Sequence, residues 1–328
     1  MSQANYIKKV AIVGATGTVG KPIVEALLKL GKHELTALTR QDSNAIMPQG
    51  LKATKVNYAE STSLAAGLAG QDALIITLPG TTPQATHFAL IEAAAAAKVP
   101  FILPNLWGID VSFNDVGRDL YMGPTILDVC AKIEEHGVSA WMGMVTGFWY
   151  EFSLGMGPNT YGMDWKNRTF TFFDDGETLI NTITWPQTGR AVANLLSLPI
   201  SPAPASPGAP SLSNYKNKYV YTSSFLMSQK EMFASVLRVS GTSSSDWTLK
   251  YQPSAERVDE GKKELGEGKG QAAYQKLLYS RVFYPDGTGN FEGRRGLDNE
   301  VLGLPREDMD EFTRIAIERA EQGIGYGH

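Results

Sequence analysis

Three glycines at three-residue spacing stand in the run Gly14-Ala15-Thr16-Gly17-Thr18-Val19-Gly20. Glycines so placed suit a pyrophosphate. The first permits a tight turn, the second lets backbone approach the phosphates, and the third allows a helix to pack closely on a strand. A helix beginning there also aims free N–H groups and its positive dipole end at an anion. Thr16, Thr18 and Val19 would complete the phosphate turn. Further along, Thr39-Arg40-Gln41-Asp42-Ser43 carries an arginine where an acidic residue would read a ribose 2′-hydroxyl. Arg40 suits a 2′-phosphate instead, so the residues favour NADP(H) over NAD.

The elements that must position these groups are legible around them. Lys9–Val13 is a short β-branched run, and Val19–Leu30 repeats apolar residues at helical spacing with Pro22 in its first turn and Gly31 as its stop. Glu34–Thr39, Leu51–Val56, Asp72–Thr77, Pro100–Leu103 and Val138–Met144 read as further strands. Helices are expected at 64–68 with Ser61 as cap, at 83–97, and at 115–136 with a break near Gly123-Pro124. Strands alternating with helices imply βαβ units: an α/β, Rossmann-type doubly wound parallel sheet with right-handed crossovers. Ligands then bind off the carboxyl ends of the strands. That places Asn57 and Tyr58 near an adenine, and Thr77, Leu78, Pro79 and Gly80 on the way to a nicotinamide.

The pattern loosens beyond residue 146. Residues 147–165 mix aromatics, Met and Gly without helix or strand period. Strands are expected at Thr169–Phe173, Lys218–Thr222 and Trp247–Gln252. Helices are expected at Pro186–Leu198, at Ser228–Val239 with Ser228 as cap, and from Ser254, Gly270 and Pro305. The Pro/Ser-rich stretch 199–211 reads as a surface loop. The division expected is residues 1–150 for the dinucleotide and 151–328 for a smaller α+β substrate-binding region. Segments near 186–197 and 218–240 would return to the first part.

Composition narrows the chemistry. The 328 residues carry 30 Lys+Arg against 34 Asp+Glu, a net charge of −4 that gives no electrostatic reason to expect nucleic acid. A single cysteine, Cys130, excludes an intramolecular disulfide and a multi-thiolate metal site. The four histidines, His33, His87, His136 and His328, show no paired metal-ligand spacing, so no metal is expected. No apolar run reaches bilayer length, and with no signal-peptide pattern the default is a reducing, cytoplasmic compartment. The sequon at Asn167 is then idle. The ligand expected besides the dinucleotide is a small molecule; composition is silent on oligomeric state.

Taken in order, these segments resemble the NmrA-like and isoflavone-reductase-like family of atypical short-chain dehydrogenases. The resemblance rests on GATGTVG, the Thr39-Arg40 strand end, Gln84, and Pro104-Asn105-Leu106-Trp107-Gly108. It continues through Ile133-Glu134-Glu135-His136-Gly137, Gly189-Arg190-Ala191-Val192-Ala193 and Tyr219-Val220-Tyr221 with Ser228-Gln229-Lys230-Glu231. Together these span about residues 7–240, and the remainder is similar to fungal isoflavone-reductase-like chains. The resemblance implies an NADPH-dependent reductase of a small apolar aromatic or unsaturated carbonyl compound in secondary metabolism. It also implies the alternative of a catalytically inactive NADP(H)-binding regulator or redox sensor of the NmrA type.

The departures bear on that choice. The family's lysine falls here on Ile126, with Lys132 on another face, and no Tyr-x-x-x-Lys pair occurs. A proton can nonetheless come from a hydroxyl, an amide or water. Asn105, Thr146 and Tyr150 are the candidates, and Asn105 is also expected at the cofactor. The resemblance makes Phe148, Trp149 and Tyr150 the lining of the substrate pocket. His87 and Cys130 read as ordinary helix residues.

Overall fold

The computed structural model describes residues 5–323, so His328 lies outside the described residues. Along the first half come β1 (Lys9–Val13), α1 (Gly20–Leu30), β2 (Glu34–Arg40), β3 (Leu51–Val56), α2 (Ser61–Leu68) and β4 (Ala73–Ile76). Next are α3 (Gln84–Ala96), β5 (Phe101–Leu103), β6 (Trp107–Gly108), α4 (Val116–Asp119), α5 (Gly123–His136) and β7 (Ala140–Val145). The second half begins with β8 (Phe148–Trp149), α6 (Tyr150–Gly155), β9 (Met163–Asp164), β10 (Thr169–Phe173), β11 (Ile180–Ile183) and α7 (Trp185–Leu196). It ends with β12 (Lys218–Tyr221), β13 (Phe225–Met227), α8 (Gln229–Ser240), β14 (Thr248–Gln252), α9 (Ser254–Gly266), α10 (Gly270–Val282), α11 (Phe291–Arg295) and α12 (Met309–Glu321).

The central sheet runs β12-β7-β5-β4-β1-β2-β3 with every pairing parallel, and β6 extends the β5 side of β7. This is the Rossmann-type arrangement the strand–helix alternation predicts. Strand alternation divides its side chains between two cores. Val10, Ile12, Met142 and Met144 meet α1 and α7 on one face. Ala11, Val13, Ile76 and Ile102 meet α2, α3 and α5 on the other. Lys218–Tyr221 joins the sheet beside β7 from far along the chain.

The rest of the second half builds a smaller part around an aromatic core of Phe148, Tyr150, Tyr161, Phe170, Phe172, Tyr279, Phe283 and Phe312. Two three-stranded sheets, β14-β10-β9 and β13-β11-β8, support it. Helix α8 packs Met232, Phe233 and Val236 into this core rather than onto the central sheet. Its cap is the expected one: Glu231 N–H donates to Ser228 Oγ, and Ser228 N–H to Glu231 Oε2 at 2.8 Å.

Two helix starts differ from expectation for local reasons, while the break expected near Gly123-Pro124 is present. Glu60, not Ser61, holds the cap position of α2, because Ser63 Oγ accepts Asn57 N–H and draws the preceding turn into place. The last helix begins at Met309 rather than Pro305; Asp308 caps it by accepting Asp310 N–H at 3.0 Å. The break in 115–136 falls at 120–122, before Gly123, where Tyr121 takes a left-handed φ of 58°. Residues 199–211 form an exposed loop whose base is tied to Asn5. No helix among the described residues is long and apolar enough to cross a membrane.

Candidate dinucleotide and substrate site

At the carboxyl end of β1 the chain turns under tight constraint. Gly14 has φ +81°, and a Cβ there would sit 2.1 Å from the Thr77 carbonyl oxygen. A Cβ on Gly20 would lie 2.1 Å from Gly14 O, so α1 starts pressed against the turn. Gly17 N–H donates to Gly14 O at 2.9 Å, and Lys21 N–H to Gly17 O at 2.9 Å. Thr16, Gly17 and Thr18 are exposed along the rim. Val19 provides no side-chain cap, and the first turn of α1 holds no acidic residue. With Lys21 N–H on Gly17 O and no N–H on Pro22, the amides just ahead of them are those a dinucleotide phosphate would meet.

Arg40 stands at the end of β2, three-quarters exposed, with only a loose 3.8 Å ion pair to Asp42. Its guanidinium is free to take a phosphate. Tyr58 lies beside it: burial pushes the phenol up to about 12, and the Arg40 charge opposes that rise. Asn57 plays a different part from the one expected. Its amide donates to Glu60 Oε1 at 2.7 Å and its Oδ1 accepts Ala59 N–H at 3.0 Å, so the side chain builds the β3–α2 turn. Arg40 and Tyr58 stand together at the ends of β2 and β3.

Thr77 also departs from expectation. It is buried, and its hydroxyl donates to Val13 O at 2.8 Å, locking β4 to β1 instead of facing a ligand. Leu78 is half-buried against the α5-side core, and Pro79 is exposed beyond it. Asn105 Nδ2 donates to Leu78 O at 2.9 Å, fastening the ends of β4 and β5. Trp107 Nε1 does the same one step deeper, on Ile76 O at 2.8 Å.

The structure sets aside two expected proton donors. Thr146 is fully buried, with its hydroxyl on Gly147 O at 3.1 Å. The amides of Thr146 and Gly147 both donate to Gly108 O, clamping this turn to β6. Tyr150 is fully buried too. Its hydroxyl shares a 2.7 Å hydrogen bond with Thr313 Oγ1, and burial raises its pKa far above the usual phenol range. The expected substrate wall is likewise mostly core: Phe148 stacks on Tyr279 with centroids 3.9 Å apart, while Trp149 is half-buried between the cores. Phe148 meets Tyr279 of α10, and Tyr150 meets Phe225 of β13 and Thr313 of α12, partners that periodicity within 147–165 does not encode.

Other ionisable residues near the fold are accounted for. Lys132 pairs with Glu135 and Glu92 on the surface of α5, and Ile126 packs on the core. Cys130 is buried beside it, its thiol pushed up to about 12 first by burial and then by Glu134, which leaves it unreactive. Burial lowers the His87 pKa and keeps the ring neutral near pH 7. Among the described residues no group of His, Cys, Asp or Glu is arranged to hold a metal ion.

A polar cluster that the sequence did not flag gathers at the carboxyl end of β7. Asp110 follows β6 and is buried; its Oδ1 accepts Ser112 N–H at 3.1 Å and Ser112 Oγ–H at 2.5 Å. Its Oδ2 receives the Tyr221 hydroxyl at 3.3 Å and Arg294 Nη1 at 3.5 Å. Arg294 lies over the Phe113 ring at 3.5 Å. Tyr221 is half-buried, its phenol pushed up to about 12 by burial and the Asp110 charge against Arg295 and Arg294. The signal available was an Asp after PNLWG, but its partners stand 111 and 184 positions away.

Comparison with known proteins bears on the fold and the cofactor. Residues 14–123 match the family model described as NAD(P)H-binding. The chain is similar to oxidoreductase aprR of Aspergillus flavus, 23% identical over 307 residues, covering 92% of this chain and 96% of that one. Its fold is similar to a crystal structure of isoflavone reductase (TM-score 0.68, 18% identity, 95% and 99% of the chains). It is similar also to leucoanthocyanidin reductase with NADPH from Vitis vinifera (TM-score 0.72, 16% identity, 94% and 99%). The chain carries an NAD(P)H-binding domain set in the fold of the isoflavone-reductase-like proteins.

Proposed function

We propose that the protein is an NADPH-dependent reductase of a small, apolar aromatic or unsaturated carbonyl compound of secondary metabolism. Residues 1–150 hold the cofactor, and 151–328 supply the remaining walls of the substrate site. The observation that carries this reading is the uncapped, acid-free start of α1 together with the free Arg40 guanidinium at the end of β2. Gly14, Thr16, Gly17, Thr18 and Val19 would hold the pyrophosphate, and Arg40 the 2′-phosphate, with Tyr58 against the adenine. Leu78, Pro79 and Asn105 would bound the nicotinamide end. When bound, the reduced dinucleotide supplies a hydride.

The second reading is a catalytically inactive NADP(H)-binding regulator. It is favoured by the burial of Thr146 and Tyr150 and by the apolar Ile126 on α5. Titration with NADPH and NADP⁺, followed by addition of aromatic aldehydes, enones and quinones, separates the two. A reductase consumes NADPH with at least one acceptor. A regulator distinguishes the two redox forms and consumes none.

A further inference from the structure

A carbonyl reduction needs a proton as well as a hydride, and the groups so far considered do not supply one. Asn105 is fastened to Leu78 O, while Thr146 and Tyr150 are enclosed. The α5 face of the sheet offers another group. Tyr219 and Tyr221 are two residues apart on β12 and so share that face, where Tyr219 packs on the core containing Cys130. The Cys130 thiol is near enough to contribute to the rise in the Tyr219 pKa, after burial.

Helix α5 connects parallel strands β5 and β7 and must run back against them. Its Ile126 therefore lies one turn above Cys130, about 6 Å toward the carboxyl ends of the strands. Tyr221 lies two strand residues above Tyr219, about 6.6 Å in the same direction. Tyr221 thus comes level with Ile126, at the mouth of the α5 face. Its register partner Val145 is also the partner of Gly108, so β12 and β6 flank β7 at one height. Two strand spacings, about 10 Å, separate β12 from the β5–β6 side where Asn105 sits. Leu78, Ile126 and Tyr219, each partly buried against the core of this face, would wall a small aromatic acceptor there.

We propose that Tyr221 is the proton donor of the reductase, with Asp110 as the residue that positions it. This assignment rests on the reductase reading above. Asp110 curls over the end of β7, is anchored by both donors of Ser112, and accepts the Tyr221 hydroxyl at a length of 3.3 Å. Bonds between hydroxyl and oxygen usually fall at about 2.5–3.0 Å, so this one is readily exchanged for a better acceptor. As the acceptor carbon takes the hydride of NADPH, the carbonyl π pair moves onto oxygen. The Tyr221 O–H bond breaks and its proton passes to that oxygen. The phenolate left behind faces Arg294 and Arg295, with Asp110 and Tyr219 as its other polar neighbours, and regains a proton from water. NADPH is oxidised and the carbonyl reduced, with no further reactant.

The test uses the full chain with NADPH and 4-nitrobenzaldehyde, chalcone and menadione as acceptors. Tyr221→Phe should lower kcat by about 100-fold or more while leaving the NADPH dissociation constant within about twofold. Asp110→Asn should lower kcat less and raise KM. If Tyr221→Phe turns over within about threefold of the parent, the assignment is wrong while the reductase reading stands. Tyr221→3-fluorotyrosine keeps the ring and lowers the phenol pKa. It should shift the alkaline limb of the kcat profile to lower pH, which loss of packing would not do; an unmoved limb overturns the assignment. If the parent consumes no NADPH with any acceptor, the reductase reading fails. Binding of 4-nitrobenzaldehyde to the NADP⁺-loaded chain, by tryptophan quenching, then decides whether Tyr221 faces a ligand: about tenfold weaker binding in Tyr221→Phe supports the site, and unchanged binding removes it.

Discussion

Arg40 is held by little of its own protein, and that freedom defines its use. Its ion pair with Asp42 is long and exposed, so a phosphate replaces it at small cost. Replacing Arg40 by Ala should weaken NADPH binding about tenfold or more and leave NADH binding unchanged, measured by cofactor fluorescence titration. Equal losses for both cofactors would refute the 2′-phosphate role. Glu151 shows the opposite condition. It is buried, its Oε1 accepts Trp185 N–H at 2.8 Å, and its Oε2 has no partner. Burial chiefly, with the Glu307 charge, pushes its pKa up to about 7 against the Trp185 N–H hydrogen bond and, more weakly, Arg319. The unfolded chain loses this proton near pH 4.5 while the folded chain keeps it to about 7, so the group's contribution to stability is lost as pH rises through that window. The loss is about 1.4 kcal/mol per pH unit for this group. Urea unfolding at pH 5 and 7 should show a smaller fall in Glu151→Gln than in the parent. None of this was legible in Tyr150-Glu151-Phe152, because a carboxylate's neighbours three elements away set its solvation.

Among the elements, α1 and α7 pack closely beside the cofactor turn. Gly189 in α7 faces Pro22 of α1 so tightly that a Cβ would lie 2.2 Å from the Pro22 carbonyl oxygen. Gly189→Ala should destabilise the fold by about 2 kcal/mol through overpacking, more than offsetting the roughly 1 kcal/mol of helix propensity that alanine adds. Chemical denaturation measures it, and a stabilised variant would show that the helices part freely. Strands β1, β3 and β10 fall at the bounds read from the residues: β1 is a continuous apolar run after Lys9, β10 begins as an alternation, and β3 is buried only at its ends, Leu51 and Val56. The short strands β6, β8 and β13 were not foreseen. They exist because a neighbouring strand supplies partners for their backbone, as β11 does for Phe148 and Trp149.

On the scale of the whole molecule, Arg281 ties the two parts beside the proposed substrate site. Almost fully buried, it donates to Asp119 Oδ2 and Asp286 Oδ2, both at 2.9 Å, to Thr288 Oγ1 and to Asn114 O. Arg281→Met would remove the cation that Asp286 and Asp119 share, leaving Asp119 only a 4.0 Å contact with Arg118, and should cost about 3 kcal/mol of stability, read from urea unfolding. A change below about 0.5 kcal/mol would mean that the loop at 110–120 is held by other contacts. The same loop carries Asp110 to Tyr221, so this bridge also supports the contact on which the proposed proton donation would depend.

From the residues by themselves came the parallel sheet, the glycine turn and the arginine that favours NADP(H). These signals are local: a glycine spacing, a β-branched run and a strand end lie within one element and its next turn. Tertiary structure decided which hydroxyls are enclosed in a core. Burial of Thr146 and Tyr150 depends on β6, β11 and α12 closing over them, and Tyr221 meets Asp110 only because β12 inserts beside β7. Whether a side chain ends in a core or at a cleft is fixed by strand pairing between distant segments, and local periodicity carries no record of it.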